Sequence, residues 1–114
     1  MTRALNLWDV QDAAQSIQTF VTGMDAAAYA ASPLVRSAVE RKFEIAGEAL
    51  AQLAKLDVAL AARVPSLAQI VAFRNQLIHG YAVVNHSTVW NVIQTALPAL
   101  LACVQALLQE LGDA

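Results

Sequence analysis

The segment from Arg74 to Tyr81 holds the side chains of this sequence that are best suited to chemistry. Arg74 is one of seven basic residues in the chain, and His79 is one of two histidines. An arginine can bind a phosphate through two hydrogen bonds, and a histidine can take up or release a proton near neutral pH. These two side chains are therefore a minimal set for cleaving a phosphodiester bond without a metal ion.

The spacing of the two residues raises a geometric problem. Positions 74 and 79 lie about 140° apart around an ideal helix, so Arg74 and His79 do not converge on one phosphate. Either His79 lies at a frayed helix end, or two chains pair so that both copies of the motif line one cleft. Asn75, four residues before His79 and on its face of the helix, is placed to orient the imidazole.

Each of these residues also has a purely structural interpretation, which is favoured when the residue is taken alone. Arg74 could form a salt bridge with Glu44 or Glu48. His79 could stabilise the C-terminus of a helix, and Tyr81 could be a half-buried aromatic after a turn. The combination Arg-x4-His-x-Tyr shifts the balance towards a functional site.

Composition limits the kind of protein that can carry this motif. The 114 residues predict a single domain covering 1–114, and 58% of them are apolar whereas only 14% are charged. So little charge predicts that part of the apolar surface is covered by another chain, in a homodimer or higher oligomer. The net charge of −2 argues against a general nucleic-acid-binding surface, so any RNA contact should be local.

Hydrophobic periodicity predicts an all-α fold, an antiparallel bundle of four to five helices without a convincing strand. The predicted helices cover about 5–22, then Ser32-Pro33 to Lys55, a short piece at 57–63, a helix from a capping box at Ser66 to His79, and a last helix from Asn85 or Ser87 that bends at Pro98. Gly47 lies inside the second long helix, where a glycine indicates close packing.

Several classes of site are not favoured by the sequence. The single cysteine, Cys103, rules out a disulfide framework and a cysteine-based zinc site. Glu40, Glu44 and Glu48 form an acidic ridge, but no Glu-x-x-His pair accompanies it, so no metal site is predicted. We find no signal peptide and no uninterrupted apolar run of about 18 residues, which predicts a cytoplasmic protein without a membrane anchor.

The motif and its surroundings resemble the HepT toxin family of HEPN-domain ribonucleases. Arg74-Asn75-Gln76-Leu77-Ile78-His79-Gly80-Tyr81 resembles the family signature. Glu44-Ile45-Ala46-Gly47-Glu48-Ala49 is similar to its Ile-Gly-Glu-Ala segment. Val84-Asn85-His86-Ser87-Thr88-Val89-Trp90 resembles the loop that leads to a Val-Trp pair. The resemblance covers about 8–110, and it implies a HEPN-like helical fold.

The resemblance also implies a function and a partner. It implies a metal-independent endoribonuclease toxin in which Arg74 and His79 are catalytic, Asn75 supports them, and no cofactor is required. It further implies a cognate nucleotidyltransferase antitoxin that transfers adenylyl groups to Tyr81. The alternative is a non-catalytic helical binding module, or a nucleotide-binding partner subunit of a nucleotidyltransferase.

Overall fold

The structure, a computed structural model, describes residues 2–79 and 84–113 of the chain. Within these residues the fold is all-α, as predicted, and contains no strand. The helices are α1 Arg3–Phe20, α2 Ala26–Ala30, α3 Pro33–Leu56, α4 Val58–Ala61, α5 Leu67–His79 and α6 His86–Asp113. The predicted helices are all present, and α2 is an additional short helix that the sequence pattern did not indicate.

Side-chain oxygens determine where five of the helices begin. In each case the oxygen accepts a hydrogen bond from a backbone N–H of the first turn, which would otherwise lack a partner. The predicted caps Ser32 and Asn85 are confirmed, Ser32 accepting from Val35 at 3.3 Å and Asn85 from Ser87 at 2.8 Å. The other three caps are Thr2, Asp25 and Asp57.

Ser66 does not act as the predicted cap of α5. Its φ is 62°, in the left-handed region, whereas a capping serine has extended backbone. The prediction of a capping box at this position is therefore wrong. The chain enters α5 through a tight turn after Pro65 instead, and the Ser66 carbonyl accepts the first helical hydrogen bond, from Ile70 at 3.0 Å.

The central helix of the fold is α3, which packs against α1 on one side and α5 on the other. The last helix, α6, packs mainly against α1, and α2 lies against both α3 and α6. Phe43 of α3 meets Phe73 of α5 edge to face, with ring centroids 5.4 Å apart. This contact anchors α5, of which only Ile70 and Phe73 are buried. The other residues of α5 are half-buried or exposed, so this helix presents much of its length to solvent.

The hydropathy of α6 differs from what the sequence analysis predicts. Its segment His86–Gly112 has a mean hydropathy of 1.6 over its richest window, so by length and composition it could cross a membrane. The prediction that no stretch is long and apolar enough is wrong, because the polar interruptions lower the mean too little. A core helix passes the same test, and Val89, Leu100 and Val104 of α6 are completely buried in the fold.

Gly47 marks the closest approach of α3 to α5. A Cβ added at Gly47 would lie 2.9 Å from Cγ of Arg74 and 3.1 Å from the carbonyl oxygen of Ile70, and would overlap Cβ of Arg74. Gly47 is itself buried. The close packing predicted from this mid-helix glycine is confirmed, and its partner is the stem of Arg74.

Gly47→Ala should lower the free energy of unfolding, although alanine is the better helix former by about 1 kcal/mol. The added methyl group meets a Cβ that cannot move without the backbone, and overpacking of this kind typically costs about 1–3 kcal/mol. Urea unfolding would measure the difference. Gly112→Ala is the matched control, because no heavy atom lies within 4 Å of its added Cβ. Equal stability of both variants and wild type would contradict the close approach.

Candidate functional site

Arg74 lies where α5 crosses Gly47, and two hydrogen bonds fix its guanidinium. Nη2 donates to the Glu48 carboxylate in an ion pair, and Nη1 donates to Oδ1 of Asn75 at 2.8 Å. The absence of a side chain at Gly47 allows the stem of Arg74 to lie directly on α3. The arginine side chain remains 25% exposed, so its charge can be reached from solvent.

The partner of Arg74 is Glu48 and not Glu44, which lies 3.8 Å from Arg41 in a separate pair. The second carboxylate oxygen of Glu48 accepts a hydrogen bond from Nε2 of Gln52 at 3.1 Å. Arg74 thus forms a salt bridge, as its structural interpretation predicts. Because the Glu48 side chain is 47% exposed, such a pair is worth at most about 1 kcal/mol, so a phosphate could replace the carboxylate at small cost.

Asn75 contacts the arginine in this structure. Its Oδ1 accepts from Nη1 of Arg74, whereas Glu48 binds Nη2, so both ends of the guanidinium are held. The predicted role of Asn75 in orienting His79 or a scissile phosphate stays a prediction. The geometry favours a role in which Asn75 fixes the side chain of Arg74. A fixed guanidinium loses less conformational freedom when it binds an anion.

His79 is the last residue of α5, and its side chain is exposed. Because α5 remains helical through His79, Arg74 and His79 keep the separation of about 140° that an ideal helix gives. A frayed helix end therefore does not bring them together. The pairing of two chains around one cleft stays a prediction.

Tyr81, the predicted modification site, lies outside the described residues. The acidic ridge of Glu40, Glu44 and Glu48 forms no metal-binding cluster, because no group of three suitable side chains occurs in the part of the chain that the structure describes. Glu48 pairs with Arg74 and Glu44 with Arg41, so these two carboxylates of the ridge neutralise basic residues.

Two polar hollows were not predicted from the sequence. The first lies between α1 and α3, measures about 220 Å³ and includes Glu48 and the fully buried Asn6. The second measures about 360 Å³ and lies between the first half of α3 and the end of α5, with Arg36, Glu40 and Gln76 in its wall. The one sequence signal for it was a pair of opposite charges four residues apart, Arg36 and Glu40, in the first half of α3.

Comparisons with known proteins identify the family of this chain. The family model described as "Ribonuclease HepT-like" matches residues 10–107 of the chain. The protein named "Putative RNase TTE0752" from Caldanaerobacter subterraneus subsp. tengcongensis is 32% identical over 90 residues, which are 79% of this chain and 80% of that protein. No solved structure matches the chain.

The family match includes every element that positions the site. It extends from α1 to α6 and so includes Gly47, Glu48, Arg74, Asn75 and His79. The all-α architecture agrees with it as well. This chain belongs to the HepT-like ribonuclease family.

Proposed function

We propose that this protein is a metal-independent endoribonuclease toxin that cleaves RNA in the cytoplasm. The observation that carries the proposal is the state of Arg74 in a HepT-like ribonuclease chain: a preoriented guanidinium, partly exposed and held by a weak ion pair. Such a group is ready to exchange a carboxylate for a phosphate. The acidic net charge fits an enzyme whose RNA contacts are few and local.

In the proposed reaction His79 accepts the proton of a ribose 2′-hydroxyl as that oxygen attacks the adjacent phosphorus. The bond from phosphorus to the 5′-oxygen of the next nucleotide breaks, and a protonated imidazole returns a proton to the leaving oxygen. The products are a 2′,3′-cyclic phosphate and a 5′-hydroxyl. Arg74 stabilises the charge on the pentavalent transition state. The substrate is RNA because the nucleophile is the 2′-hydroxyl.

His79→Ala should abolish cleavage of RNA and leave the fold intact, because an exposed side chain at a helix end contributes little to packing. His86→Ala is the matched control, since it removes the only other histidine, which lies in the first turn of α6. Cleavage of a labelled RNA by purified protein gives the rate, and circular dichroism monitors the fold. Cleavage by folded His79→Ala at the wild-type rate would refute the assignment. A wild-type protein that leaves RNA intact would favour the non-catalytic binding module.

Arg74→Met should separate the two roles of the arginine. Methionine keeps an unbranched stem over Gly47 but lacks the charge, so the free energy of unfolding should change by less than about 1 kcal/mol. The cleavage rate should fall by roughly 10²–10³, the usual loss when one transition-state donor is removed. Urea unfolding and the RNA assay measure the two effects. A large loss of stability with little loss of rate would make Arg74 a structural residue.

We further propose that the enzyme works as a homodimer or higher oligomer in which two α5 helices line one cleft. The separation of Arg74 and His79 around α5 supports this, because a second chain can supply the missing partner. Apolar side chains at the surface support it too: Trp8 is 50% exposed, and Ile78, adjacent to His79, is 46% exposed. A two-fold axis would place the same patch of each chain against the other.

Sedimentation at micromolar concentration should show a dimer or larger assembly. If the cleft is shared, mixing the weakly active Arg74→Met with inactive His79→Ala should restore part of the cleavage activity. The single cleft of a mixed dimer then contains one intact pair, with the arginine from one chain and the histidine from the other. A fully active monomer would contradict the shared cleft. Retention of the dimer without any restoration of activity would place Arg74 and His79 of one chain in the same site.

We also propose that a partner protein controls the activity of this enzyme. A cognate nucleotidyltransferase antitoxin would attach adenylyl groups to Tyr81, two residues beyond His79. Each group adds negative charge and bulk close to the site, which should repel the phosphate of RNA. Family membership and the short distance along the chain between His79 and Tyr81 support adenylylation of Tyr81 as the means of control.

Tyr81→Phe should keep nuclease activity but escape this control, because it retains the ring and lacks the acceptor oxygen. Co-expression with the cognate nucleotidyltransferase should protect cells that make wild-type protein and fail to protect cells that make Tyr81→Phe. Tyr29→Phe serves as the control, since Tyr29 is completely buried and cannot be an acceptor. Equal protection of all three, with no added adenylyl mass on wild type, would make the partner a steric inhibitor.

A further inference from the structure

A cavity of about 360 Å³ lies between α3 and α5, and its lining does not include Arg74 or Glu48. One wall is the outer face of the first two turns of α3, and the other is the end of α5. Its volume is in the range of pockets that bind small molecules. Its lining residues are Pro33, Arg36, Ser37, Glu40, Gln76, Leu77 and Val84.

A polar group in the wall of this cavity lacks a partner. Nε of Arg36 is buried and, within the described residues, has no hydrogen-bond partner. Folded proteins rarely leave a buried polar group unsatisfied, so this donor in a cavity wall indicates a ligand that supplies an acceptor.

The electrostatics of the cavity wall agree with this interpretation. Burial raises the pKa of the Glu40 carboxyl, with Arg36 opposing the shift and Glu44 adding to it. Burial also raises the pKa of Tyr29 to about 12, with the Glu40 charge adding to the effect and Arg36 opposing it. A donor, Arg36, and an acceptor, Glu40, therefore stand one helical turn apart in a partly dehydrated hollow, where hydrogen bonds discriminate well between ligands.

The cavity is also next to the proposed catalytic histidine. Gln76 lines it and lies three residues before His79 in α5. Residues three apart on a helix are neighbours, with Cβ atoms about 5–6 Å apart. A nucleotide whose phosphate is at His79 can therefore reach the cavity with its base.

We propose that this cavity is a base-binding subsite that takes a guanine next to the scissile phosphate. Guanine presents acceptors at O6 and N7, to which an arginine is the commonest specific donor. Its N1–H and N2–H₂ groups are donors that suit a carboxylate such as Glu40. Adenine carries an amino group where guanine carries O6, so it would place a donor against Arg36 and leave both unsatisfied.

The place of this subsite in the reaction rests on the proposed ribonuclease function, but binding of the base can be measured without cleavage. The probe is guanosine 5′-monophosphate, titrated calorimetrically into full-length His79→Ala protein. It should bind at least tenfold more tightly than adenosine 5′-monophosphate. Glu40→Gln, added to the same protein, preserves the size of the side chain and should weaken guanosine monophosphate binding at least tenfold.

Glu44→Gln is the matched control, because Glu44 lies one turn further along α3, outside the cavity, and its substitution should leave binding unchanged. Arg36→Met provides a second, independent variant with the same expected loss as Glu40→Gln. Equal binding of the two nucleotides, or no binding of either, would overturn the proposal and leave a cavity filled by water only. Unchanged binding by both Glu40→Gln and Arg36→Met would overturn it as well.

Cleavage patterns then distinguish the two proposals from each other. Wild-type protein should cut a mixed-sequence RNA mainly beside guanosines, and Glu40→Gln should cut with at least a tenfold weaker preference for guanosine. Guanosine monophosphate binding without any cleavage by wild type would support the subsite and refute the nuclease. Cleavage with an identical pattern in wild type and Glu40→Gln would support the nuclease and refute the subsite.

Discussion

The contact of α5 with α3 at Gly47 is the constraint on which the rest of the structure depends. Because no side chain projects from Gly47, the stem of Arg74 lies directly on α3, and its guanidinium reaches Glu48 one residue further along. The same approach brings Phe73 against Phe43. A larger residue at position 47 would move α5 outward and with it every polar group that the helix carries, on both sides of the contact.

That contact also explains how α5 can present different groups on its two sides. Arg74 and Gln76 leave α5 in nearly opposite directions, since positions two apart on a helix diverge by about 160°. The arginine side is charged and half open, which suits a phosphate. The Gln76 side faces a cavity in which Nε of Arg36 has no hydrogen-bond partner among the described residues, which suits a polar ring. In the proposed enzyme, α5 would thereby separate recognition of charge from recognition of shape and hydrogen bonding.

The sequence predicts the local structure better than it predicts the site. Ser32, Pro33 and Asn85 act through hydrogen bonds and dihedral angles within one turn, so the helix starts that they determine could be predicted. The turn at Ser66 depends on how neighbouring segments pack, which no local pattern contains. The short helix α2 has a local signal in its cap, Asp25, but it is too short to show hydrophobic periodicity. Arg74 could be singled out by residue type, but the choice of Glu48 over Glu44 as its partner requires the relative rotation of two helices. The cavity at Arg36 and Glu40 arises only when α5 lies against α3.

The ion pair between Arg74 and Glu48 has a consequence for the response of the protein to salt. Most nucleic-acid-binding proteins release counterions from the phosphate backbone with each cationic contact, so their affinity falls steeply as ionic strength rises. Here a phosphate that reaches Arg74 displaces an anion that belongs to the protein, and the freed carboxylate must then be hydrated and attract cations of its own. One electrostatic contact is exchanged for another, and raised salt weakens both states together. The chain would thereby hold RNA with a shallow dependence on ionic strength, a property set by a glutamate and not by the number of arginines.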